Sequence, residues 1–163
     1  MRILFITATR IGDAVLSTGL LAHLVERYPA ARFTIAVGPL SAPLFEAVPR
    51  LERLIVVTKR RWSLHWLSLY AAVAGTRWDV VLDLRGSALA YLVRAERRLG
   101  EVRSVPDEHR VVQLARILAL DPPPAPVLYV GARHERAAAV LVPPGPPVLA
   151  IGPAANWHGK QWR

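Results

Sequence analysis

Met1-Arg2-Ile3-Leu4-Phe5-Ile6-Thr7-Ala8-Thr9-Arg10-Ile11-Gly12-Asp13-Ala14-Val15-Leu16-Ser17-Thr18 opens the chain and carries two patterns in succession. Ile3 to Thr7 is a continuous apolar run, as expected of a strand covered on both faces in a parallel sheet. A short loop, Ala8 to Gly12, then leads into helical spacing. Leu16, Leu20, Leu21, Leu24, Val25 and Tyr28 fall on one face, and His23, Glu26 and Arg27 can meet water. Pro29 cannot continue the helix.

The same alternation continues outward. Strands are expected at Phe33–Val37, Arg53–Val57, Val80–Leu84 and Val148–Ile151. Helical segments are expected at Ser41–Ala47, Trp62–Ala74, Ala88–Leu99, Glu108–Leu120 and His134–Val142. Strands alternating with helices predict an α/β fold, a Rossmann-like open parallel sheet with helices on both faces. The proline-rich segment Pro143–Pro147 reads as a linker between an N-terminal domain, 1–143, and a remnant, 144–163. A strand and a loop alone cannot form a core, so the expectation is that a second domain is truncated at Arg163.

Composition narrows the function classes. With 163 residues and 53% apolar content the chain can bury a full core. It has no cysteine, which removes disulfides, thiol nucleophiles and cysteine metal sites. No run approaches the ~18 apolar residues of a membrane span, and the opening lacks a signal-peptide pattern; a cytoplasmic protein is expected. The net charge of +9 favours anionic partners. Lysine occurs only at Lys59 and Lys160, and a chain this rich in Arg, Ala and Pro can owe its charge to genome composition.

Ligands of open α/β sheets bind at the carboxyl ends of the strands, where Arg10, Gly12 and Asp13 fall. Gly12 permits a tight turn or close approach by a substrate. Asp13 stands at the start of the helix, with Ser17 and Thr18 one turn on. Spacing leaves two roles open for Asp13, a helix cap or a functional carboxylate. No G-x-G-x-x-G or Walker loop is present. Asp79 reads as a strand-start residue, while Asp83 lies nearer the functional edge. The five histidines lack metal-ligand spacing.

Arg10-Ile11-Gly12-Asp13-Ala14-Val15-Leu16-Ser17-Thr18-Gly19-Leu20-Leu21, followed by Leu24 and Tyr28-Pro29-Ala30-Ala31, resembles the opening of glycosyltransferase family nine. These are the bacterial ADP-heptose:lipopolysaccharide heptosyltransferases and their relatives. Further similarities follow in order: Trp78–Ser87, His109–Leu120, and Ala150–Trp162 with its Lys160-Gln161-Trp162 ending. The resemblance implies the N-terminal, acceptor-holding half of a GT-B glycosyltransferase, inverting and without an obligatory metal or cofactor. It implies that Asp13 is the general base and that Lys160 meets donor phosphate. Arg10, Gly12, Ser17, Thr18 and Asp83 are the accompanying candidate substrate-binding residues. The implied donor is ADP-heptose and the implied acceptor a lipopolysaccharide-core glycolipid. Ala155 and Asn156 stand where some relatives carry paired hydroxyl residues.

Two basic groups remain. Lys59-Arg60-Arg61-Trp62-Ser63-Leu64-His65-Trp66 combines cations and indoles in a way that can sit on the inner, anionic face of a membrane. The ordinary alternative packs Trp62 and Trp66 onto the sheet and leaves the arginines solvated. Arg94, Arg97, Arg98 and Arg103 form a second group, which can meet acceptor phosphates or acidic sugars and is equally well explained as a solvated helix face. The chain alone is expected to be inactive. The alternative to an enzyme fragment is a non-catalytic Rossmann-like acceptor- or anion-binding module. Nucleic-acid binding is not expected, because the basic residues are dispersed and no reader motif is present.

Overall fold

The computed structural model describes residues 1–59, 61–100, 105–142 and 144–152. Five strands form one parallel sheet: β1 (Arg2–Ile6), β2 (Arg32–Val37), β3 (Leu51–Val56), β4 (Trp78–Asp83) and β5 (Ala95–Gly100). Their spatial order is β3-β2-β1-β4-β5. The helices are α1 (Ile11–Arg27), α2 (Leu64–Val73), α3 (Leu89–Leu92), α4 (Arg110–Ala115) and α5 (Ala132–Leu141). This is the expected open α/β sheet.

Side-chain alternation along β1 divides the core into two layers. Ile3 and Phe5 join Phe33, Ile35, Leu21 and Leu24 beneath α1 and α4. Leu4 and Ile6 point the other way, joining Leu69 and Val73 of α2 and Leu89 of α3. All four β1 residues are buried, which is why the run is apolar throughout. Phe5, Phe33 and Phe45 are fully buried, and each contributes about 1.5–3 kcal/mol by leaving water.

Helix α1 begins earlier than its apolar spacing predicts. Arg10, in extended conformation, is the N-cap, and Ile11 to Asp13 already lie in the first turn. Gly12 is therefore helical rather than the pivot of a tight turn. Beyond the helix, the segment leading to Tyr129 returns to α1: Val127 N donates to Thr18 Oγ1 at 3.0 Å. Burial, with Glu26 adding to it and Arg50 opposing, raises the Tyr129 phenol pKa above its ordinary value.

Two expected elements differ. The helix expected over Ala88–Leu99 shrinks to α3, and Ala95–Gly100 is the edge strand β5. Arg98 explains the break: its guanidinium donates to Ala90 O, Val93 O and Ala95 O, each at 2.9 Å. It thereby satisfies carbonyls that a continuing helix would have bonded. Pairing with β4, including Trp78 N to Arg94 O at 2.9 Å, overrides local helical preference. Arg94, Arg97 and Arg98 thus lie at or on an edge strand, not on a helix face. Arg103 lies outside the described residues.

The strand expected at Val148–Ile151 is not formed. Val148, Leu149 and Ile151 are exposed and no strand among the described residues pairs with them, and an unpaired strand has no partner for its backbone groups. The chain divides into two compact units, Met1–Tyr129 and Val130–Arg163. That division falls ahead of α5, whereas the proline-rich segment lies after it. Among the described residues, no helix is long and apolar enough to cross a membrane.

Candidate functional site

Connections reverse direction between β1 and β4. From β1 the chain moves outward to β2 and β3, then returns to place β4 on the other side of β1. Loops after β1 and β4 diverge there and leave a crevice at the carboxyl ends, the usual ligand position in such sheets. Register places Ile6 beside Asp83 at that edge.

The loop after β1 is held from two sides. Gly38 allows the β2 loop to approach it: a Cβ there would meet Thr9 Cα at 2.7 Å. Ser41 Oγ also donates to Thr9 O at 3.3 Å. On the helix side, Thr7 and Ser17 join hydroxyls at 2.7 Å, and Ser17 Oγ reaches Ala14 O at 2.7 Å.

These contacts fix what each candidate residue can do. Ser17 and Thr18 are 1% and 2% exposed. Thr18 donates to Val15 O at 2.7 Å and accepts from Val127 N. Both hydroxyls face inward and secure α1; neither opens onto the crevice. Arg10 and Gly12 are exposed, and a Cβ on Gly12 would meet nothing within 4 Å. Space for a ligand exists there.

Asp13 is half-buried in the first turn of α1. It is not the N-cap, a position held by Arg10. Its carboxylate accepts no hydrogen bond and joins no ion pair among the described residues.

Asp83 is 1% exposed, and its carboxylate is fully engaged by its own loop. Oδ1 accepts from Arg85 N at 2.9 Å, and Oδ2 accepts from Ser87 N at 2.9 Å and from the Ser87 hydroxyl. It shapes the loop 84–88 rather than offering an oxygen to the crevice. Asp79 lies at the opposite end of β4, where it accepts from Arg2 N at 2.5 Å, a strand-start role. Lys160 lies outside the described residues.

A cleft of about 550 Å³ crosses the carboxyl edge. Thr9 and Arg10 follow β1, Pro39 and Leu40 follow β2, Val57 to Lys59 follow β3, and Arg85 follows β4; His65 of α2 completes it. Arg10, Lys59 and Arg85 bring three cations to its wall, and no carboxylate among the described residues lines it. Sequence reasoning missed Arg85 as a site residue. Its signal was position, two residues past the end of a buried strand. Arg85 stacks over the Trp66 ring, 4.7 Å from its centroid. Trp66 is half-buried against the second core layer, whereas Trp62 is 85% exposed. Trp62 thus departs from the packed position of the ordinary reading. Arg60 lies outside the described residues.

Among the described residues, no cluster of three His, Asp or Glu could hold a metal ion. No protein-family model and no curated protein sequence matches the chain. Solved structures are similar. A glycosyl transferase family 9 protein from Veillonella parvula superposes with a TM-score of 0.70 at 19% identity, over 85% of this chain and 47% of that one. The E. coli heptosyltransferase WaaC with ADP gives 0.59 at 17% identity, over 88% and 54%. E. coli ADP-heptose lps heptosyltransferase II gives 0.62 at 18% identity, over 88% and 51%. The chain spans about half the length of each. Over that span it has the α/β fold of these glycosyltransferases.

Proposed function

We propose that this chain is the acceptor-binding half of an inverting sugar-nucleotide glycosyltransferase, with Asp13 as general base. The observation that carries the reading is an Asp13 carboxylate without a partner among the described residues, in the first turn of the helix whose N-cap, Arg10, lines the cationic cleft. In the reaction the acceptor hydroxyl gives its proton to Asp13 as its oxygen bonds to the donor's anomeric carbon. The bond from that carbon to the diphosphate breaks with its electron pair on the departing nucleotide, and configuration inverts. Cations stabilise such a leaving group, and Lys160 is the proposed donor-phosphate contact. The proposed donor is ADP-heptose, by analogy with a heptosyltransferase crystallised with ADP-2-deoxy-2-fluoro heptose. The proposed acceptor is a lipopolysaccharide-core glycolipid, met by a cytoplasmic protein at the inner membrane face through Lys59–Trp66.

Ser17, Thr18 and Asp83 act in this scheme by holding α1 and the 84–88 loop, while Arg10 and Gly12 border the acceptor. Asp13→Ala in the complete gene product should lower heptosyl transfer by about 10²–10⁴-fold, with an unchanged thermal melt. Full activity in that variant, or loss of the fold, returns Asp13 to a purely helical role. A second reading, an anion-binding module without turnover, draws on the three cations of the cleft. Phosphate-ester binding without any sugar transfer by the complete gene product would favour it.

A further inference from the structure

A second open space adjoins the cationic cleft. It encloses about 710 Å³ between α2 and α3, bounded by Trp66, Leu67, Tyr70, Leu89, Leu92 and the loop that begins at Arg85. Leu67 and Leu92 are 64% and 65% exposed, so two large aliphatic side chains face water on adjacent helices. Contiguous exposed apolar surface of this kind marks a binding surface more often than an accident of packing. Arg85 is the shared wall: it borders the apolar groove on one side and the cleft with Arg10 and Lys59 on the other. Neither space is lined by Asp or Glu among the described residues.

A groove that is apolar along its length and cationic at one end is complementary to an anionic amphiphile. We infer that the Trp66–Leu92 groove binds one acyl chain of an anionic lipid whose headgroup lies in the Arg10–Lys59–Arg85 cleft. Burial of methylenes along α2 and α3 supplies affinity, and Arg85, fixed over Trp66 at 4.7 Å, sets where chain ends and headgroup begins. A second copy of this chain is the poorer occupant, since its own Arg10, Lys59 and Arg85 would be brought toward like charges. The inference rests on the glycolipid-acceptor reading and deepens it by locating the lipid part of the acceptor.

Titration calorimetry of the full chain with octyl, decyl and dodecyl phosphate, each as monomer, tests it without any sugar donor. Full burial strengthens binding about fourfold per methylene, so an open groove should give at least about tenfold from octyl to dodecyl. Leu67→Ser with Leu92→Ser, both at exposed positions, should abolish that gain and leave the thermal melt unchanged. Arg85→Gln should weaken all three ligands by the same factor. Absence of a chain-length gain overturns the inference, and so does a gain that survives the double variant. Concentration-dependent dimerisation that the double variant removes would assign the groove to a second copy instead. Because the titration needs no donor, sugar transfer can fail while alkyl phosphate binds, and that result would retire the transferase reading alone.

Discussion

Aspartates at the carboxyl edge show how little a residue's type says about its role. Asp13 follows β1 and Asp83 ends its parallel neighbour β4, and the sequence places both near the functional edge. In the structure the Asp13 carboxylate has no partner among the described residues, and the Asp83 carboxylate is enclosed by Arg85 N, Ser87 N and the Ser87 hydroxyl. Removing the Asp83 carboxylate leaves two part-buried amide donors without acceptors. Hydrogen bonds to a charged group are worth about 1.5–3 kcal/mol each, so Asp83→Ala should cost about 3 kcal/mol or more in urea unfolding. Asp83→Asn retains a single acceptor oxygen and should lose about half as much. Equal stability of both variants and the parent would show that the loop does not depend on this carboxylate. Arg85 was overlooked for a related reason: an arginine after a strand is common, and only its stacking on Trp66 from another helix gives it a site.

Elements were legible where they were buried. The apolar runs of β1, β2 and β4 and the helical face of α1 could be read directly, because both patterns arise from which side chains must leave water. Readability failed at the edge. The segment Ala95-Glu96-Arg97-Arg98-Leu99 has residues that favour helix, and nothing local reports that β4 offers an unpaired ladder or that Arg98 will take three carbonyls. Val148–Ile151 failed in the opposite sense, having strand composition without a neighbouring strand among the described residues. A third case is Gly19, inside α1. Helix propensity favours alanine there by about 1 kcal/mol. Against that, a Cβ would lie 2.6 Å from Pro124 O and 2.8 Å from Ala125 O, both backbone atoms. Overpacking costs about 1–3 kcal/mol, so the contact outweighs the propensity. Gly19→Ala should lower the unfolding midpoint and speed hydrogen exchange at Val127 N, whose bond to Thr18 Oγ1 holds the same segment. Increased stability with unchanged exchange would mean that the 122–129 segment yields without cost.

Charge and exposed apolar surface have to be weighed on the whole molecule. A net charge of +9 attracts any polyanion, and each basic residue near an anionic bilayer contributes about 1 kcal/mol. Charge alone therefore does not distinguish a membrane from a nucleic acid. Trp62 offers a way to separate them, because it is 85% exposed next to Arg61, and indole prefers the bilayer interface to water. The two contributions respond differently to salt. Screening shortens from about 10 Å at 0.1 M to about 3 Å at 1 M, which removes the electrostatic part and leaves the apolar part. Co-sedimentation with anionic vesicles should accordingly fall at high salt to a residual fraction, and Trp62→Ala should abolish that residue while leaving low-salt binding largely intact. Duplex DNA should bind only at low salt, with no effect of Trp62→Ala. If vesicle binding vanishes completely at high salt in the parent protein, the attraction is that of a generally basic surface, and the Lys59–Trp66 segment is not a membrane contact.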